Sequence, residues 1–121
     1  AVRLYYFLSA YKDIVEYWKS NTENFPDVAM GYNQYGLGLV NYGNSGTGFD
    51  IWVRGVQERP HDFRLNYNLA NFLVTFRQFD KVAPFLKKAE ESIEPKQNPQ
   101  FWKENLQKMR QACAENGVLI D

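Results

Sequence analysis

The sequence predicts an all-α fold built from antiparallel helix pairs. Three observations lead there: a recurrence of large and small residues at a step of about 34 residues, apolar spacing of helical period within each copy, and prolines at the copy boundaries. Internal recurrence comes first, because a repeat fold read residue by residue is misassigned as a whole. Trp18, Trp52 and Leu86 are equally spaced along the chain, and Pro26 and Pro60 keep the same step. Pro95 comes one position late. Tyr35 with Leu69, Gly36 with Ala70, Leu39 with Leu73 and Gly55 with Ala89 share the register. One such coincidence carries little weight, but a set of position types in one register is a repeat.

Each copy divides into two amphipathic segments with apolar residues at i, i+3, i+4 and i+7. Helices are expected at 2–9, 11–24, 28–41, 48–58, 63–76, 79–92 and 99–115. Small residues at Gly36/Ala70 and Gly55/Ala89 allow close helix approach, and Trp18, Trp52 and Leu86 fill the space against neighbouring copies. Each Pro ends one helix and opens the next, since it has no N–H and fits the first helical turn. The last segment carries Trp102, Leu106, Met109 and Cys113 on one stripe and stops at Asn116-Gly117, a helix C-terminal signal. It reads as a capping helix, 98–117, which covers apolar surface that a terminal repeat would expose. The organisation is then a partial repeat at 1–27, repeats at 28–61 and 62–96, and the cap, all in a single domain.

These residues resemble the tetratricopeptide repeat (TPR) family. One copy reads Tyr32, Tyr35, Gly36, Leu39, Gly48, Trp52, Gly55, Pro60. The next reads Leu69, Ala70, Leu73, Val82, Leu86, Ala89 and then Pro95, and a partial copy supplies Ile14, Trp18 and Pro26. The chain departs from the pattern with Asn66 at a bulky position, Asn21 at a small one, and the extra residue before Pro95. The resemblance implies a right-handed α-solenoid of about two and a half repeats. It also implies a concave groove, lined by the first helix of each pair, that holds a peptide or helical segment of a partner protein. The groove positions here are Met30, Asn33, Gln34, Leu37 and Asn41 in one layer and Arg64, Tyr67, Asn68, Asn71 and Thr75 in the next. Gln34 and Asn68 are in register. Side-chain amides both donate and accept, so such a row suits an extended backbone, while Met30 and Tyr67 add apolar contact. A clamp of Lys, Arg and Asn for acidic C-termini is incomplete, since only Arg64 and the amides are present.

Composition narrows the function classes. Of 121 residues, 45% are hydrophobic and 17% aromatic, enough for a packed core. Lys+Arg and Asp+Glu both number 14, so no strong net field attracts nucleic acid or an anionic membrane. The single Cys113 permits no internal disulfide and no cysteine-based metal motif. No apolar run approaches the ~18 residues of a membrane span, and no signal peptide is evident. The compartment stays open.

Each candidate for chemistry has a plainer reading. Gly43-Asn44-Ser45-Gly46-Thr47-Gly48 lacks the Gly-Lys-Ser/Thr ending of a phosphate loop and falls where a turn between paired helices belongs. His61 has no second histidine for a metal and no nucleophile to serve, and Asp62 beside it reads as a helix N-cap. Cys113 reads as a small packed hydrophobe. Glu90, Glu91 and Glu94 share a solvated face with Lys87 and Lys88. The expectation is a non-enzymatic module with no cofactor and no metal.

A second resemblance stands beside the first. Tyr11-Lys12-Asp13 through Tyr17-Trp18, Thr22 and Phe25-Pro26 is similar to the juncture in bacterial membrane glycosyltransferases where a polytopic region runs into C-terminal TPR repeats. It implies a non-catalytic tail of a larger enzyme. The chain opens without Met and part-way into a copy, which suggests an excised segment. Its apolar stretch Leu4-Tyr5-Tyr6-Phe7-Leu8 is then expected to self-associate through residues 2–8 or to fray.

Overall fold

Helix signals dominate because apolar residues recur at helical spacing, and Pro26, Pro60, Pro84 and Pro99 fall between the helices or in their first turns. The computed structural model describes residues 2–93 and 98–121, with side chains from residue 12 onward, and all its regular structure is helical. In chain order the elements are α1 (Val2–Asn24), α2 (Ala29–Asn41), α3 (Ser45–Glu58), α4 (Phe63–Thr75), a 3-10 turn (Phe79–Lys81), α5 (Ala83–Glu91) and α6 (Pro99–Glu115). The chain divides into two compact units, one ending at Arg59 and one beginning at Pro60.

In the first unit α2 packs against both α1 and α3. The sequence suggested a break near residue 10, giving a first helix pair. Instead α1 runs unbroken, and Ser9-Ala10-Tyr11 holds no Gly or Pro to stop it. Ile14 is 48% exposed and Trp18 only half-buried, with Tyr17 edge-on to Trp18 at 5.0 Å. Trp52, by contrast, is buried against α2, and its Nε1 donates to the Asn33 carbonyl at 3.2 Å. The α2–α3 approach is close enough that a Cβ on Gly48 would lie 2.8 Å from the Gly36 carbonyl oxygen.

The turn between α2 and α3 is shorter than the Gly-rich segment implied. Tyr42 ends α2, Gly43 takes φ +95°, and α3 starts already at Ser45. Gly43 N–H donates to Val40 O and Asn44 N–H to Leu39 O, the paired bonds of a Schellman ending. Gly46 and Gly48 are therefore helical residues, Gly48 serving close packing.

In the second unit α4 packs against α5 and α6, which also touch each other. Asp62 caps α4 as expected, accepting from Leu65 N at 2.9 Å. The segment expected as one helix over 79–92 opens instead as a 3-10 turn. Pro84, in the first turn of α5, has no N–H to give the preceding turn. Leu65, Leu69, Val82, Leu86 and Leu106 are fully buried, with Ala70, Ala89 and Cys113 beside them in the core. Each of the larger aliphatic side chains contributes about 1.5–3 kcal/mol by leaving water. The terminal helix α6 holds the expected limits and buries Leu106, Met109 and Cys113. Glu90 finds its partner in α6: Arg110 grips its carboxylate, with Nη2–Oε1 at 2.6 Å and Nε–Oε2 at 3.3 Å. The side chains of residues 2–8, together with Glu94 and Pro95, lie outside the described residues.

Candidate partner-binding surface

Helix α2 carries no acidic or basic side chain. One face is spent on packing, with Gly31, Tyr32, Gly36, Gly38 and Leu39 buried. The opposite face presents Met30, Gln34, Leu37 and Asn41 to solvent, at the i, i+4, i+7 and i+11 positions of one stripe. Met30 is 62% exposed and Leu37 42%. Asn33 lies at the edge of the stripe, half-buried, its Nδ2 donating to the Ala29 carbonyl at 3.2 Å. Met30 and Leu37 thus leave aliphatic surface in water on a helix that carries no charge.

The equivalent stripe of α4 is different. Arg64, Asn71 and Thr75 are exposed, while Tyr67 and Asn68 are half-buried. Thr75 Oγ1 is turned back onto the Asn71 carbonyl at 2.8 Å. Arg64 is the sole charged residue of α4. Its guanidinium carbon stands 4.5 Å from the centre of the Trp102 ring, a cation–π contact. Tyr67 meets the same indole edge-to-face at 4.9 Å and Phe63 at 5.3 Å, with Phe101 flanking it at 5.0 Å. Tyr67 also bonds to Asn105. Burial raises the Tyr67 phenol above its ordinary pKa, an effect that the Asn105 bond and the Arg64 charge oppose.

The ten residues singled out from the sequence thus fall in two sets of five, one in each unit. Phe63, Phe101, Trp102 and Asn105 are surface partners outside those sets. Trp102 is legible in retrospect: it follows Tyr67 by one position more than the repeat step, the same lag that Pro95 shows after Pro60. His61 is exposed and Cys113 fully buried. Burial lifts the Cys113 thiol pKa, with nearby Arg110 pulling it back in part. Among the described residues no helix is long and apolar enough to cross a membrane.

No protein-family model matches the chain, and no curated protein matches it.

Proposed function

We propose that this chain is a protein-interaction module. In this reading it is a TPR-type right-handed α-solenoid whose groove residues hold a peptide or helical segment of a partner, and it has no catalytic activity of its own. The observation that carries the reading is the α2 stripe, where exposed Met30 and Leu37 alternate with Gln34 and Asn41 on an uncharged helix. Apolar anchors between amides fit a partner segment that offers aliphatic side chains and free backbone groups. The repeat reading is supported by equivalences at the repeat step: Gly36 and Ala70 are buried at matching positions of α2 and α4, and Trp52 and Leu86 are buried in α3 and α5.

The test is a peptide-display selection against the full 121-residue chain, followed by binding measurements on Met30→Ser, Leu37→Ser and Asn68→Ala variants. Enriched peptides are expected to lose at least about tenfold in affinity to Met30→Ser/Leu37→Ser, with helicity unchanged. A chain that enriches no peptide, or whose peptides ignore all three substitutions, rules the reading out.

A further inference from the structure

The ending of α6 holds a reactive pair of residues shut. Asn116-Gly117 is the only Asn-Gly step in the chain. Gly117 takes φ +83°; its N–H donates to Ala114 O at 3.1 Å, and Val118 N–H donates to Cys113 O at 2.8 Å. These are the two bonds of a Schellman ending, and the left-handed position favours glycine because a Cβ is penalised there. The same missing Cβ leaves the Gly117 nitrogen unshielded beside the Asn116 carboxamide. Asn116 is exposed, so water reaches it. Its side chain is nevertheless held at both ends: Nδ2 donates to Ala112 O at 2.7 Å, and Oδ1 accepts from Arg77 Nη2 at 2.9 Å. In the closed ending the nucleophile's proton is committed to Ala114 O, and the electrophile is fixed by Ala112 and Arg77.

We infer that Asn116 is a deamidation site gated by the α6 ending, and that its conversion releases residues 118–121. When the ending opens locally, the Gly117 amide gives its proton to water and its nitrogen attacks Asn116 Cγ. The N–Cγ bond forms, the Cγ–Nδ2 bond breaks, and the amide leaves as ammonia by taking a proton back from water. A second water opens the cyclic imide at either carbonyl, leaving aspartate or isoaspartate; nothing is oxidised or reduced. Both products lose the Nδ2 donor to Ala112 O and set a carboxylate at the negative end of a helix. Isoaspartate also adds a carbon to the backbone just before Gly117, so the bonds to Ala114 O and Cys113 O no longer fit their acceptors. Residues 118–121 keep the Arg110 bond to the Ile120 carbonyl but lose the turn that leads into it.

Peptide mapping by mass spectrometry tests this on the full chain, incubated in mildly alkaline buffer beside a synthetic peptide of residues 112–121. The native chain is expected to convert at Asn116 at least about tenfold more slowly than the peptide, and to reach the peptide's rate in urea. Arg77→Ala frees one end of the carboxamide and should convert at least about threefold faster than wild type. Tyr32→Phe, a destabilising change in the first unit, should leave the rate as it is. The converted fraction, isolated by ion exchange, should lose residues 118–121 to carboxypeptidase faster than the unconverted chain. The gate is disproved by equal rates for native chain and peptide, by an Arg77→Ala rate equal to wild type, or by Tyr32→Phe accelerating conversion as much as Arg77→Ala. No conversion at Asn116 in either wild type or Arg77→Ala, over a period that converts the peptide, disproves the site. Equal trimming of the two fractions disproves the release.

Discussion

Tyr32 and Asn66 occupy the same position of the repeat and make the same bond with different chemistry. Tyr32 Oη donates to the Pro26 carbonyl at 2.6 Å, and Asn66 Nδ2 donates to the Pro60 carbonyl at 3.0 Å. The two acceptors are themselves in register. Each donor ties the helix it sits on to the turn that leads into it. A departure from the repeat pattern at Asn66 is thus a replacement of one donor by a shorter one. The shorter side chain also reaches the Asp62 carbonyl at 2.8 Å, and its buried Oδ1 accepts nothing.

That relationship sets a first expectation. Tyr32→Phe keeps the ring and removes the donor, and should cost about 1 kcal/mol, the usual net worth of such a bond. Urea unfolding followed by circular dichroism gives the number. A midpoint identical to wild type, at unchanged slope, would show that Pro26 O is equally well served by water.

A second expectation follows from Gly36 and Trp52. A Cβ built on Gly36 would stand 2.2 Å from Trp52 Nε1, far inside any permitted contact. Gly36→Ala should therefore destabilise by about 1–3 kcal/mol or more through overpacking. Trp52→Ala should cost about 3–5 kcal/mol through the cavity it leaves. The second unit meets the same positions with Ala70 and Leu86, both fully buried. Gly36→Ala combined with Trp52→Leu copies that solution and should lose less than the two single changes together. Strict additivity in the thermodynamic cycle would mean that the two positions are not a matched pair.

The sequence carried the pairing of small with large residues, because a repeat states its packing twice and coincidences at a fixed step accumulate. It carried the Asp62 cap, the burial of Cys113 and the limits of α6 for local reasons: an N-cap residue before an apolar stripe, and Asn-Gly after it. What escaped depended on longer-range compensation. Nothing in Ser9-Ala10-Tyr11 announces whether a helix continues, since absence of a breaker is a weak signal. The Arg64–Trp102 contact joins helices on either side of the extra residue before Pro95 and becomes visible only when the register is shifted by one.

Arg77 supplies a third expectation. It takes φ +59° just after α4, at the repeat position where Gly43 takes φ +95° just after α2. Arg77 N–H donates to Val74 O and Gln78 N–H to Leu73 O, repeating the Schellman ending of α2. A side chain there bears the steric cost of the left-handed region, which glycine avoids. The Arg77 side chain has contacts of its own, to Asn116 Oδ1 at 2.9 Å and over the Phe79 ring. Arg77→Gly and Arg77→Ala lose those contacts alike, so their difference isolates the backbone. The glycine variant should be the more stable of the two by about 1 kcal/mol. Equal unfolding midpoints would remove the strain from this turn.

The last expectation concerns alkaline pH and Cys113. The thiol is fully buried in α6, and burial raises its pKa, an effect only partly opposed by the charge of Arg110. Tyr32 is raised in the same direction, first by burial and then by the charge of Glu58. A folded-state pKa above the unfolded one means that the fold favours the neutral form. The resulting stability is complete below the unfolded pKa and is lost as pH climbs through it toward the folded value. Unfolding free energy should therefore fall on the alkaline side, beginning in the ordinary thiol range near about pH 8.5. Cys113→Ala removes the thiol's share and should flatten the onset of that fall, leaving the later phenolic part. The same burial makes the thiol inert in the native state, because the thiolate is the reactive form and the fold shuts it off from solvent. Modification by a thiol-specific disulfide reagent should proceed only as fast as the chain opens, and should accelerate in urea in step with unfolding. Rapid modification of the native chain, or an alkaline stability profile unchanged by Cys113→Ala, would mean that Cys113 is in contact with solvent.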